Sequence, residues 1–170
     1  MITVLKGIRV KTIDRFIDER GFFTEVMRKD WTDLFAEDVI VQVNHSFTYP
    51  NIVRAWHRHL RGQIDYFLTL KGMIKIGVYN DESGELDEIV SSELDLQMVR
   101  VPGFYWHGFK AVGNEPVVLV YFTTHLYDSS NPDEERRAWN DPTIIPKLVN
   151  GKTDDPRVGK PWDWNFLPNK

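Results

Sequence analysis

Apolar and polar positions alternate with a period of two along most of the first 127 residues, in runs too short for anything but strands. TVLKGIRVKTI (3–13) reads as two short strands broken at Gly7. DERGFFTEVMR (18–28) begins with a charged turn over Asp18, Glu19, Arg20 and Gly21 and continues extended. IVQVNHSFTY (40–49) is a strand, Pro50-Asn51 turns the chain, and IVRAWHRHLRGQIDYFLTLKG (52–72) is a β-rich stretch closed by glycine. MIKIGVYND follows, NDESGE (80–85) is a hairpin turn by composition, and LDEIVSSELDLQMVRVP (86–102) holds two more strands. Pro102-Gly103 places a turn before HGFKAV, and GNEP (113–116) leads into the last long strand, VVLVYFTTHLY (117–127). DWTDLFAED (30–38) predicts a short helix capped by Asp30 or Thr32, with Trp31, Leu34 and Phe35 on one side, and a second short helix is expected near 133–138. About nine or ten close-spaced strands with almost no helix predict an all-β chain, a jelly-roll sandwich or barrel, not a βα alternation.

Length then sets the domain count. The 170 residues suit one domain, with a jelly roll over 1–142 and an irregular tail over 143–170 whose Trp162 and Trp164 predict that it packs on the domain. Twenty-one Lys plus Arg against 25 Asp plus Glu give a net charge of -4, so no basic field points to nucleic acid or an anionic membrane. The opening residues lack an apolar leader, and the longest apolar run, Val117 to Phe122, is too short to span a bilayer, so a cytoplasmic location is expected. With no cysteine, disulfides, thiolate metal sites and a cysteine nucleophile are excluded.

Candidate chemistry concentrates in 52–72. Residues two apart on a strand share a face, so His57 and His59, joined by Asp65 of the same parity if no bulge intervenes, look into one cavity that His107 closes from another strand. These four are spaced like the ligands of a metal-binding cupin, where imidazole and carboxylate suit Fe, Mn, Ni or Zn. Without metal the same residues form a proton-transfer site, with a histidine base and Tyr121 or Tyr127 as the acid on the opposite face. Arg20, Arg54, Arg58 and Arg61 are candidates to clamp an anionic group such as a diphosphate. Each also has a plain structural reading: a hydrogen-bonded interior histidine, a strand tyrosine, a solvated arginine.

DERGFFTEV (18–26), VQVNHS (41–46), VRAWH (53–57), VPGFYWHGF (101–109) and VYFTTHLY followed by AWNDP (120–142) together resemble the successive motifs of the dTDP-4-dehydrorhamnose 3,5-epimerase family. The resemblance covers residues 5 to 142 and implies a cupin-type jelly roll, a nucleotide-linked 4-keto-6-deoxy sugar as substrate, no cofactor, and a homodimer that exchanges N-terminal strands. It implies His57 as the base beside the ketone and Tyr121 as the opposing acid. It also implies a substrate-binding set of Arg20, Phe23, Glu25, Gln42, Asn44, Arg54, His107 and Tyr127, with Asp65 at a further position of that set.

The chain departs from that pattern in three places. Asp65 stands where the family has a lysine near the developing enolate, which reverses the charge; Lys71 and Lys75 are the candidate replacements. The aspartate that orients the family's histidine has no counterpart motif, leaving Asp154, Asp155 and Asp163 as candidates. Trp56 and His59 replace the usual Leu and Gln, which reshapes the pocket floor. The alternatives are therefore a metal-dependent cupin using His57, His59, Asp65 and His107, and a sugar-nucleotide-binding relative without catalysis.

Overall fold

The computed structural model describes residues 5–167. Its strands in chain order are β1 (Arg9–Thr12), β2 (Phe16–Asp18), β3 (Gly21–Phe23), β4 (Gln42–Thr48), β5 (Val53–Arg58), β6 (Ile64–Lys71), β7 (Met73–Asn80), β8 (Glu85–Ser92), β9 (Gln97–Pro102), β10 (Trp106–Val112), β11 (Val117–Thr123), β12 (Glu135–Arg136) and β13 (Leu148–Val149). One helical turn, α1 (Thr32–Phe35), lies between β3 and β4. The strands form a five-stranded sheet ordered β1-β9-β6-β11-β4 and a six-stranded sheet ordered β12-β5-β10-β7-β8-β13. From β4 to β7 the chain crosses from one sheet to the other at every step, as in a jelly roll.

Three apolar layers follow from this pairing. Between the sheets, Phe67, Val99, Val101 and Leu119 of one meet Ile74, Ile76, Val78 and Phe109 of the other. On the outer face of the five-stranded sheet, Tyr66, Leu68, Met98 and Phe122 are covered by Leu34 and Phe35 of α1. On the outer face of the six-stranded sheet, Trp56, Tyr79, Leu86 and Trp106 are covered by Ile144, Val149, Trp162 and Trp164 from the C-terminal segment. Strand β6 is buried on both faces from Asp65 to Thr69, which is why its sequence loses the alternation of a half-exposed strand.

Several local expectations are corrected. The helix expected over 30–38 is one turn, with Trp31 at its N-cap and no side-chain cap, because the chain has too few residues there to repay nucleation before turning back to β4. The helix expected near 133–138 is absent: Glu135 and Arg136 pair with Arg58 and His57 as strand β12, since the open edge of β5 satisfies their backbone groups. Of the strand expected before Gly7, residues 1–4 lie outside the described residues, and Leu5 to Gly7 is a turn. The charged turn is as read, with Asp18 opposite Gly21 across the β2–β3 hairpin.

Candidate active site

A cavity of about 720 Å³ opens at one end of the sandwich, between β5 of one sheet and β4, β6 and β11 of the other. Its position follows from a bulge. His107 on β10 pairs with His57 on β5, whereas Phe109 pairs with Arg54, so three residues of β5 span two of β10. The extra residue turns Arg54 and His57, an odd distance apart, toward the same cavity, and Trp56 to the outer face. On the facing sheet Tyr121 of β11 sits between Asn44 of β4 and Phe67 of β6. Gln42, Asn44 and Ser46 line the same wall because they share the inward parity of β4.

Behind His57 lies a tight polar cluster. The ring of His57 stands edge-on to that of His107 at 4.3 Å and is 5.8 Å from that of His59. Asp65 Oδ2 is 3.1 Å from His107 Nε2 and 3.3 Å from His59 Nε2, and Asp65 Oδ1 accepts a hydrogen bond from Gln63 Nε2 at 2.8 Å. One potential ligand atom from each of His57, His59, Asp65 and His107 falls within 4.8 Å of the others. His107 is fully buried and His59 and Asp65 nearly so.

Hydrogen-bond inventory constrains the two inner histidines. His107 Nδ1 lies 2.8 Å from the Tyr105 carbonyl and His59 Nδ1 lies 2.6 Å from the Asp133 carbonyl. Carbonyls only accept, so each Nδ1 carries a proton and donates it. His107 Nε2 then meets the acceptor-only Asp65 carboxylate, a contact that needs either a second ring proton or a cation between them, while His59 Nε2, 3.3 Å from the same carboxylate, also lies 3.1 Å from Gln63 Nε2, an amide donor. Burial alone would raise the Asp65 carboxyl, but the hydrogen bonds from His107 and His59 override it and hold the group well below the usual carboxylate range. Burial opposes charge on His59, and Asp65 outweighs it, raising that ring. Burial and the neighbouring His107 push His57 well below an ordinary imidazole, and burial and Asp65 raise Tyr121.

The remaining predicted residues are dispersed. Tyr127 lines the mouth of the cavity and is mostly exposed. Arg61 also lines it, held by Asp133 and the Asn131 carbonyl. Arg58 points to the outer face, where it pairs with Glu135 and lies over the Trp106 ring. Arg20, Phe23 and Glu25 do not line the cavity of their own chain: Arg20 pairs with Asp18 at the hairpin turn, Phe23 is 64% exposed, and Glu25 pairs with Arg28. Neither lysine replaces the missing one. Lys71 is exposed at the end of β6, and Lys75 faces outward to Glu88 and the Phe166 carbonyl. The candidate orienting acids are also elsewhere: Asp155 holds Arg157, Asp163 accepts from the Asn165 amide, and Asp154 is exposed. Sequence reading overlooked Gln63 and Asp133. Gln63 immediately precedes β6 and lies two residues from Asp65, which was its only signal, whereas Asp133 sits in a polar loop without periodicity.

A jelly roll with a histidine- and carboxylate-lined polar pocket between its sheets is a cupin-type domain. The chain belongs to the polysaccharide biosynthesis C-terminal domain family, whose model matches residues 16–135. It is 44% identical over 137 residues to a probable low-salt glycan biosynthesis epimerase of Haloferax volcanii, covering 78% of this chain and 86% of that protein. It is 31% identical over 146 residues to a spore coat polysaccharide biosynthesis protein of Bacillus subtilis, covering 83% of this chain and 94% of the relative. Its fold is that of dTDP-6-deoxy-D-glucose-3,5-epimerase from Legionella pneumophila, solved in complex with dTDP-4-keto-L-rhamnose, at a TM-score of 0.74 and 20% identity over 85% of this chain and 79% of that one.

Proposed function

We propose that the chain is an epimerase of nucleotide-linked 4-keto-6-deoxy sugars in glycan biosynthesis, acting at the carbon next to the ketone. The observation that carries this reading is the opposition of a low-pKa imidazole, His57, and a raised phenol, Tyr121, on facing sheets across one cavity. His57 takes the proton from C3 or C5 and the electron pair moves onto the carbonyl oxygen as an enolate. As the electron pair returns to carbon, Tyr121 delivers a proton to the other face of the same carbon; the His57 imidazolium then releases its proton to solvent and the Tyr121 phenolate takes one back. Gln42, Asn44 and Arg54 supply the polar shell that orients the sugar nucleotide. Solvent-deuterium incorporation into a dTDP-4-keto-6-deoxyhexose tests this: label at C3 or C5 that vanishes with His57→Ala and falls steeply with Tyr121→Phe is expected. Binding without any exchange in the wild-type protein would leave only the sugar-binding reading.

A second reading of the same centre rests on the two proton-locked histidines. With Nδ1 of His59 and of His107 committed to carbonyls, their Nε2 lone pairs, the Asp65 carboxylate and His57 fit a divalent cation. Such an ion would supply, as a Lewis acid, the positive charge that the family's lysine provides and Asp65 removes. Metal analysis of protein purified without chelator, repeated on Asp65→Asn, distinguishes the readings: about one ion per chain in the wild type and loss in the variant supports the metal centre.

The state in which the enzyme works is proposed to be a cytoplasmic homodimer. Phe16, Ile17, Phe22 and Phe23 on the β2–β3 hairpin are exposed, as are Val43 and Phe47 on β4, an edge strand of its sheet, and Val41 and Tyr49 at its two ends. Docking the hairpin of one copy on the other would cover both patches and carry Arg20, Phe23 and Glu25 to the partner's cavity. Among the described residues no helix is long and apolar enough to cross a membrane.

A further inference from the structure

His57 has no hydrogen-bonded acid behind it among the described groups; its ring rests on His107 and its backbone belongs to β5. What fixes that stretch of β5 lies on the other side of the sheet. Trp56, the neighbour of His57, is 1% exposed and points outward, where its ring meets that of Trp164 at 4.8 Å. Beneath the pair is Gly77 of β7, where an added Cβ would come within 2.9 Å of Trp164 and 3.0 Å of Trp56, so the two indoles occupy all the room there is.

Trp164 is held as firmly as it holds. Its Nε1–H donates to the Trp139 carbonyl at 3.0 Å, and its ring stands edge-on to Trp162, whose amide donates to the Ile144 carbonyl. Two buried lysines reach up from the sheet to the segment just beyond: Lys75 Nζ donates to the Phe166 carbonyl at 2.8 Å and Lys110 Nζ to Asn165 Oδ1 at 2.6 Å. Upstream, Arg157 pairs with Glu88 of β8 at 2.7 Å. The Trp139 stretch that receives the indole hydrogen bond continues directly from β12, and Arg137 exchanges both backbone hydrogen bonds with Trp56. Trp56 is thus gripped by its ring and by its backbone through one C-terminal strap.

We propose that this strap sets the geometry of the proton-transfer site, with Trp164 as a positioning residue that acts on His57 through Trp56. The proposal rests on the reading of His57 as the base. Loss of Trp164 leaves β5 paired to β10 but lets Trp56 shift outward, and a displacement of about 1 Å at the reacting group is enough to cost up to a hundredfold in rate. Substrate affinity depends on Gln42, Asn44 and Arg54, two of which sit on the opposite sheet, and is expected to be largely spared.

The test compares full-length wild type, Trp164→Ala, Trp164→Phe, Gly77→Ala and Leu34→Ala, the last a comparable truncation beneath α1 on the other sheet. Deuterium exchange into the 4-keto sugar nucleotide is measured as kcat and KM, and the imidazole resonances are followed in protein labelled at histidine Cε1. Trp164→Ala is expected to lower kcat by about tenfold or more with KM changed less than about threefold, and to move the His57 resonance. Trp164→Phe should restore most of both, and Leu34→Ala should leave both near wild type. If Trp164→Ala does not fold, Gly77→Ala, which wedges the same indole pair apart, must show the same pattern. A folded Trp164→Ala or Gly77→Ala with wild-type kcat and an unmoved His57 resonance overturns the proposal, as does an equal effect from Leu34→Ala. Absence of exchange in the wild type would instead reject the epimerase reading, while the resonances still report whether the strap governs His57.

Discussion

Replacing Asp65 by Asn removes one charge and almost no volume from the centre of the site, and two opposing effects predict opposite outcomes. An enolate forming about 5 Å from a bare carboxylate would be repelled by about 3 kcal/mol at an effective dielectric constant of about 20, so neutralising Asp65 would speed exchange by about a hundredfold. Asp65 is not bare. It is 3% exposed, with two imidazole nitrogens within 3.3 Å and the Gln63 amide at 2.8 Å, so part of its field is compensated within the cluster, while the remainder reaches Tyr121, a phenol raised by burial and by this charge. What the variant loses is the anchor of that cluster. Exchanging two charge-assisted contacts for neutral ones costs about 2 kcal/mol in total, and the support it gives to positive charge on His59, or to a cation the cluster shares, goes with it. Asp65→Asn is therefore expected to slow exchange by at least about tenfold and to lower the unfolding free energy in urea at pH 7 by about 2 kcal/mol. The sign with pH follows from the depressed carboxyl. Its stabilisation is fully present above the unfolded pKa, about 3.9, and is lost as pH falls through the lower folded value. The stability gap between wild type and variant should therefore persist at neutral pH and close in acid. Faster exchange in Asp65→Asn with unchanged urea midpoint would refute the reasoning.

Three further outcomes are expected. Gly108→Ala would bring a Cβ within 2.3 Å of Ala55 Cβ and 2.6 Å of the Arg54 carbonyl, so it should destabilise the fold by about 1–3 kcal/mol and reduce exchange by displacing β5; a wild-type melting temperature would contradict this. In metal-stripped protein the exchange rate should rise with pH through the lowered value of His57 and fall only through the raised value of Tyr121, giving an acid limb centred below about 6.5 and an alkaline limb above about 10; an acid limb at or above the ordinary imidazole value argues against His57 as the base. Mixing inactive Arg20→Ala and His57→Ala chains should recover part of the activity if the hairpin of one copy completes the cavity of the other; no recovery in verified mixed dimers would confine Arg20 to its own chain.

Alternation, turn residues and the near absence of helical periodicity were enough to define an all-β jelly roll, because a two-residue period is a local property that each strand carries in its own side chains. The same parity put Gln42 beside Asn44 on the inward face of β4, whereas His57, His59 and Asp65 do not share one strand as their spacing suggested: β5 ends at Arg58, and Asp65 lies on β6 of the facing sheet. The five motifs pointed to the epimerase fold that the structure adopts. Tertiary structure decided the rest. The bulge that turns Arg54 and His57 to one side arises from the register between β5 and β10, which no single strand encodes. Residues 133–138 hold helix-compatible charges but pair with β5, because an open strand edge offers more backbone hydrogen bonds than a one-turn helix. Asp65 reads in sequence as a charge reversal against the enolate, and only the convergence of His59 and His107 on its carboxylate makes it an anchor. Trp162 and Trp164 announce that the tail packs somewhere, but that they buttress the strand bearing His57 depends on contacts more than a hundred residues apart in the chain, which are set by how the sheets close and not by any local pattern.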